Sequence, residues 1–579
     1  MRLAPALVPV LVAACVPPLV VPEGLLDRPL PLWSGDGVDA PRLAFVDEGC
    51  PGSEIARGGC PMDDPERVCR PILLDSLAPE TALPDPSLAG DELSLSAECL
   101  ELRPAAGLGA PTPSAQDLAR SVARLRLTEL PVIRTPAPDA EPAAWSWRHG
   151  TEANVTTPGG ILGAHALATF AVRFETEAVV PTVTFYDAFP GSDRDLARKG
   201  YAFLPVQYPG RLLGRQRDDR CLVDGRDCEL PKGVDLVPGD DRLALAASRM
   251  VLDACLAPPP CTVTYTPDAD DPTQPGTCGL APGPDAGGAC VRADASMGGR
   301  SATLVVATSV TDVALFSDAF ERMFGPVDAL PPCTVAPTPQ TQVCATEEAG
   351  RLYVAGWPPA GEDVPLPVVR LRSLAILPGA VEPVAPAPCT RLAERLVAAE
   401  NQCDRYRRSA RQAGSIAATS PPYSANPGDA DDDADASALV LGEAFLPAGS
   451  TAPATDRWIT ARILPADHPL AVSVRRSVAP DGIEPDGLLG TAMLAGTDLV
   501  LDYTDPNPSL RARCTAPAEG GCLALTDCRD DGDAACCHGM PRSLLLEFAV
   551  GAGHDTCCHA LDETDRQAVA DAGGPCTPP

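Results

Sequence analysis

Two stretches of this chain share one outline, and the repetition limits what it can fold into more than any other feature. The first is Ile72-Leu73-Leu74-Asp75-Ser76-Leu77-Ala78-Pro79-Glu80-Thr81-Ala82-Leu83. The second is Leu304-Val305-Val306-Ala307-Thr308-Ser309-Val310-Thr311-Asp312-Val313-Ala314-Leu315. In both, an apolar strand runs into polar residues, turns, and resumes as a second apolar patch. Well downstream of each comes a further shared element, Gly160-Ile161-Leu162-Gly163 with Leu167 and Gly487-Leu488-Leu489-Gly490 with Leu494. The same elements in the same order, twice, point to a fold made of two equivalent halves.

At 579 residues the chain has room for more than one domain. Its 66 Pro and 49 Gly, with only 4% aromatic residues, favour turns and short strands over long helices. A formal net charge of −33 removes the basic footprint that nucleic acid requires, and with it a polybasic grip on anionic lipid. Such an acidic surface keeps a protein soluble.

The first residues, Met1-Arg2-Leu3 and then an apolar stretch ending Leu11-Val12-Ala13-Ala14-Cys15, read as a secretory signal too short to span a bilayer. Val12-Ala13-Ala14-Cys15 resembles the lipobox of bacterial lipoproteins, which implies that Cys15 is lipidated and becomes the mature N-terminus. An ordinary cleaved signal with an incidental cysteine is the alternative. Val16 after the cysteine points, by that family's sorting habit, to the outer membrane. Setting Cys15 apart leaves an even number of the 23 cysteines, as a disulfide framework in an oxidising compartment requires. Local pairs suggest themselves: Cys221 with Cys228, Cys255 with Cys261, Cys278 with Cys290, Cys333 with Cys344, and Cys389 with Cys403, other connectivities being open.

Val16 to about Ala40 is Pro-rich and suits a tether. Trp145-Ser146-Trp147 reads as a hairpin or loop packed by its indoles. Past Gly163 a short turn reaches Leu167, and strands are expected over Phe170–Phe174 and Val183–Tyr186. Residues 210–241 are charged and loop-like, and apolar alternation returns from Leu243 to Cys255. Phe316–Met323 suits one or two helical turns. A longer helix is expected over Cys389–Gln412, with Leu392, Leu396, Val397 and Ala399 on one side. Arg405, Arg407, Arg408 and Arg411 at its far end complement the helix dipole. The acidic run of residues 428–435 offers oxygen ligands to calcium but lacks the glycine of an EF-hand loop, and reads as a flexible acidic loop.

Together the two halves resemble the aspartic proteases, whose bilobal members carry a duplicated lobe. That family's signature is an apolar strand leading to Asp-Thr/Ser-Gly, with a downstream apolar pair followed by Gly that braces the active loop. Leu73-Leu74-Asp75-Ser76-Leu77 and Ile161-Leu162-Gly163 match the two elements in the first half. Val305-Val306-Ala307-Thr308-Ser309 and Leu488-Leu489-Gly490 match them in the second, where the far longer spacing implies a large insertion. The resemblance implies an all-β fold of two lobes with Cys-rich inserts, a peptide-binding cleft between them, and Asp75 as the catalytic position.

The departures are chemical. Aspartic proteases activate water between two carboxylates that share one proton, because two such charges side by side cannot both ionise. Here Asp75 faces Ala307 in the matching position, and a methyl group can neither hold the water nor share the proton. Leu77 and Ser309 stand where the family has glycine, a residue that permits conformations costly to others. Asp312 lies nearby in sequence, but its offset points it away from the family position.

After Cys514 the chain is dense in cysteine, with His538, His554 and His559 beside the vicinal pairs. Cys537, His538, Cys558 and His559 make a conceivable zinc set, although the spacing of a zinc ribbon is absent and disulfides are the simpler reading. No phosphate-binding Gly-rich loop and no Gly-x-Ser-x-Gly elbow occurs. His149 and His165 read as structural.

The expected organisation is a signal peptide (1–14), a tether (15–40), a first lobe (41–217), a linker loop (218–239), a second lobe with insertions (240–513) and a Cys/His-rich tail (514–579). The expected function is a lipid-anchored envelope protein without a cofactor, its cleft binding a peptide, protein or other ligand. The alternatives are a divergent peptidase that uses Asp75 with a non-standard second acid, and a zinc-dependent role for the tail.

Overall fold

The computed structural model describes residues 21–32, 41–46, 60–61, 69–106, 125–136, 160–227, 234–235, 244–258, 261–266, 277–282, 299–347, 366–379, 387–397, 438–442, 458–515, 522–525 and 558–577, apart from short breaks inside these ranges. The signal segment with Cys15, Trp145-Ser146-Trp147, His149, the arginines of 405–411, the acidic run 428–435, and Cys537, His538 and His559 lie outside them.

Strands dominate the described residues. The elements that position the site run, in chain order, β1 (Cys69–Leu74), β2 (Thr81–Asp85), β3 (Gly160–Leu162), α1 (Ala164–Leu167), β4 (Ala171–Glu175), β5 (Thr182–Tyr186) and β6 (Ala202–Pro205). They continue with β7 (Val251–Leu256), β8 (Arg300–Val306), β9 (Val313–Phe316), α2 (Ser317–Phe324), β10 (Gly487–Leu489), β11 (Thr497–Asp502) and β12 (Ser509–Cys514).

In an eight-stranded sheet, β3 lies between β1 and β2. It runs parallel to β1, with Ile161 beside Leu73, and antiparallel to β2, with Ile161 beside Ala82. A ten-stranded sheet repeats the arrangement: β10 runs parallel to β8, with Leu488 beside Val305, and antiparallel to β9, with Leu488 beside Ala314. A downstream strand thus inserts between two that are near neighbours in sequence, leaving the loops after β1 and β8 to project from the sheet. Ile72, Leu73 and Leu74 are buried, as are Leu304, Val305 and Val306, which accounts for the unbroken apolar runs.

Both inserted strands begin with a glycine in close contact with a neighbouring strand, and at Gly487 the contact is with backbone, which a side chain could not displace. A Cβ on Gly160 would sit 2.1 Å from the Leu83 side chain, and one on Gly487 would sit 2.3 Å from the Ala314 carbonyl oxygen.

A six-stranded sheet, in the order β6-β12-β11-β4-β5 and then Leu30–Pro31, joins the halves. Its central pair is β4 with β11, Ala171 opposite Asp502 and Glu175 opposite Asp498. Val172 and Phe174 on β4 and Leu499 and Leu501 on β11 belong to one apolar cluster that continues through Leu74 and Leu162 of one sheet and Val306 and Leu489 of the other. The opposite face is mixed: Ala171, Val500, Tyr186, Leu196 and Tyr201 form a second buried apolar cluster, beside which the buried Asp498 accepts from Arg173 Nε at 2.9 Å, from Tyr201 Oη at 2.6 Å and from an Arg513 nitrogen at 2.8 Å.

The strands expected over Phe170–Phe174 and Val183–Tyr186 correspond to β4 and β5, and the turns over Phe316–Met323 to α2. The helix expected from Cys389 is present over residues 388–397. Its buried stripe is Cys389, Leu392, Ala393 and Leu396, whereas Val397, expected on that side, is 37% exposed. The 210–241 stretch is not simply loop: Arg211–Arg217, Arg220–Val223 and Arg226–Asp227 pair in a four-stranded sheet completed by Ala244–Ala247. Ladder hydrogen bonds form between backbones, and charged side chains on a strand do not prevent them.

The disulfides correct part of the local pairing. Cys333 joins Cys344 as expected. Cys255 joins Cys389 across a sequence separation of 134, which excludes both Cys255–Cys261 and Cys389–Cys403. The reason is packing: Cys255 sits buried in β7 against the stripe of the 388–397 helix, whereas Cys261 begins a separate hairpin. Cys558 joins Cys576. Its sulfur is therefore unavailable to zinc, and the set Cys537, His538, Cys558 and His559 is not formed as expected. No helix among the described residues is long and apolar enough to cross a membrane.

Candidate functional site at the junction of two loops

The loop after β1 carries Asp75, Ser76 and Leu77; the loop after β8 carries Ala307, Thr308 and Ser309. Matching backbone bonds hold them. The Asp75 N–H donates to the Leu162 carbonyl at 3.0 Å, and the Ala307 N–H to the Leu489 carbonyl at 2.8 Å. On the far side of each turn, Ala164 N–H donates to Ala78 at 2.7 Å and Thr491 N–H to Val310 at 2.8 Å. Asp75 and Ala307 are therefore equivalent by hydrogen-bond position as well as by order in the chain.

The two loops meet tip to tip. Ser76 N–H donates to Thr308 Oγ1 at 3.0 Å, and Thr308 N–H donates to Ser76 Oγ at 3.1 Å. Each hydroxyl then donates across the junction, Thr308 Oγ1 to the Leu74 carbonyl at 2.7 Å and Ser76 Oγ to the Val306 carbonyl at 3.1 Å. Thr308 is fully buried and Ser76 is 1% exposed, so all four bonds form away from water. A fifth bond crosses the same junction: Arg249, just before β7, donates from Nε to the Leu77 carbonyl at 3.0 Å.

Asp75 has no exposed surface. Its Oδ1 accepts from the Leu77 N–H at 2.8 Å, while Oδ2 has no hydrogen-bond partner. The Ser309 hydroxyl stands beside the carboxyl, near enough to act on its ionisation, yet it too is buried without a hydrogen bond of ordinary geometry. Burial pushes the Asp75 carboxyl up to about 6, against the downward pull of the Ser309 hydroxyl, the Leu77 and Ala78 N–H groups and the Arg249 charge.

Leu77 and Ser309, which occupy the glycine positions of the resemblance, take no positive φ, so the loops turn without the conformation that glycine alone allows cheaply. Asp312 does take one, at 55°, and its carboxylate pairs with Arg462 and not with the junction. His165 is buried in α1.

Sequence reading singled out Asp75, Ala307, Leu77 and Ser309, but not the Ser76–Thr308 exchange or Arg249. The exchange had a visible signal, a hydroxyl residue directly after each of the two equivalent positions. Arg249 had a fainter one, an isolated charge at the head of an apolar strand. Chemically the junction holds one buried carboxyl, one idle hydroxyl and no second acid at the equivalent position. Comparison with family models, with curated proteins and with solved structures gave no match for this chain.

Proposed function

We propose that this chain is a catalytically silent cell-envelope protein with an aspartic-protease-like bilobal fold, anchored by lipid on Cys15 and binding a peptide or protein ligand in the groove between its halves. The observation that carries the reading is the Asp75–Ala307 pair. Two loops equivalent in their backbone bonds meet through reciprocal Ser76–Thr308 bonds, and one carries a buried carboxyl where the other carries a methyl, which supports a two-carboxyl frame with one acid absent. A lone carboxyl cannot serve as acid and base together on one water. A fold retained without its chemistry is best explained by binding.

The test is to incubate the purified protein with a denatured-protein library from pH 3 to pH 7. The expected result is no new peptide termini, with a subset of peptides co-eluting with the protein. Cleavage that disappears in Asp75→Asn overturns the reading and favours a second one, a peptidase built on Asp75. The observation behind that second reading is that Asp75, held near 6 beside the Ser309 hydroxyl, has an acidity suited to proton transfer. The anchor has its own check: Cys15→Ser is expected to release the protein from the membrane fraction.

A further inference from the structure

We propose that the junction of the Asp75 and Thr308 loops is a pH-responsive latch, shut and dry when Asp75 is protonated and opening to water when Asp75 is ionised. The geometry supplies both parts of such a device. The latch is the set of four Ser76–Thr308 loop bonds, reinforced by Arg249 on Leu77. The sensor is the Asp75 carboxyl, wholly buried beside them with Oδ2 unbonded and with apolar Leu77, Val310 and Ala307 in the same two loops.

A neutral carboxyl is tolerated in such surroundings, whereas an ionised one with an unsatisfied oxygen is not, and water entering the junction relieves it. The charge acting on Asp75 is that of Arg249, which softens the penalty without cancelling it, since the carboxyl remains displaced upward to about 6. Asp312, the charged residue of the opposite loop, is engaged by Arg462. His165, the titratable residue of the helix packed behind the Asp75 loop, is present in every variant considered below.

The device shows itself in backbone hydrogen exchange of the intact mature protein. The readouts are peptides covering residues 72–78 and 303–310, corrected for the intrinsic pH dependence of exchange. Protection of these peptides is expected to fall between pH 4 and pH 7 by up to about a hundredfold relative to Asp75→Asn, following the displacement of the carboxyl. Any contribution from His165 moves both proteins alike and drops out of the ratio. Parallel profiles for the two proteins overturn the proposal. Should Asp75→Asn fold poorly, Ser309→Ala tests the same point, because loss of a hydroxyl that favours the ionised closed form must enlarge the fall in protection between pH 4 and pH 7. An unchanged fall in that variant also overturns it.

Discussion

Ser76 and Thr308 are separated by 232 positions in the chain and by one pair of hydrogen bonds in space. Each donates its N–H to the other's hydroxyl, and each hydroxyl donates a hydrogen bond to the carbonyl two residues before the other. The relationship is two-fold in form, so it registers the two halves against each other at the place where their chemistry differs most.

Thr308→Val keeps the shape and strips out the hydroxyl, leaving the Ser76 N–H and the Leu74 carbonyl buried without partners. Stability is expected to drop by about 3 kcal/mol in urea or guanidinium unfolding. Combining it with Ser76→Ala should cost less than the sum of the two, by about 1 kcal/mol or more, because both changes break the same network. Simple additivity would show that the two residues do not act together.

Ala307→Asp places a second carboxyl at the position equivalent to Asp75. Two buried carboxyls raise each other's affinity for a proton, so the folded state binds protons that the unfolded state releases. Groups displaced upward contribute least penalty in acid and most at neutral pH. The variant is therefore expected to be destabilised by about 3 kcal/mol more at pH 7 than at pH 4. A pH-independent loss would mean that position 307 does not face Asp75.

Asp498 slopes the other way. Its carboxyl is held below the usual range by Arg173, Tyr201 and Arg513, although burial alone would raise it. A depressed carboxyl stabilises the fold above the ordinary carboxylate value, and that stability is lost as pH falls through the folded value. Asp498→Asn should thus cost about 3 kcal/mol at pH 7, where it removes the carboxylate that Arg173, Tyr201 and Arg513 share and leaves Arg173 to its pair with Glu175, with the gap to wild type narrowing below about pH 4. Thermal unfolding across pH 2 to 7 checks both ends of that statement.

The Cys255–Cys389 link makes a covalent prediction. Non-reducing peptide mapping is expected to recover these two cysteines in one linked species, with neither joined to Cys261 or Cys403. Replacing both by serine removes a closure over a long loop and should lower stability by about 4 kcal/mol.

The repeated order of apolar strand, polar turn and Gly-apolar-apolar-Gly was legible in the sequence because it is local at each occurrence. Structure then pairs those segments as β3 with β1 and β10 with β8. Ala307 was identifiable as the counterpart of Asp75 for the same reason. What sequence hid is what depends on long-range approach. Nearest-neighbour reasoning failed for Cys255, whose partner arrives on a helix far along the chain, and for Val397, turned outward by a stripe set at Cys389. The strands between Arg211 and Asp227 were masked by their own charge, since side-chain composition speaks to solvent and backbone pairing does not. Arg249 and the buried Asp498 cluster are single charged residues whose meaning lies entirely in which strands fold over them.

The sheet that holds β4 against β11 makes each half the other's missing edge. A polypeptide ending before Thr497 would leave one side of β4 without a ladder and turn Val172 and Phe174 toward water, so it should aggregate or recruit a second molecule. Covalent continuity thus fixes a one-to-one stoichiometry that neither half secures alone. With partnership guaranteed in this way, the two equivalent positions can carry different side chains, a carboxyl at Asp75 and a methyl at Ala307, on one shared frame.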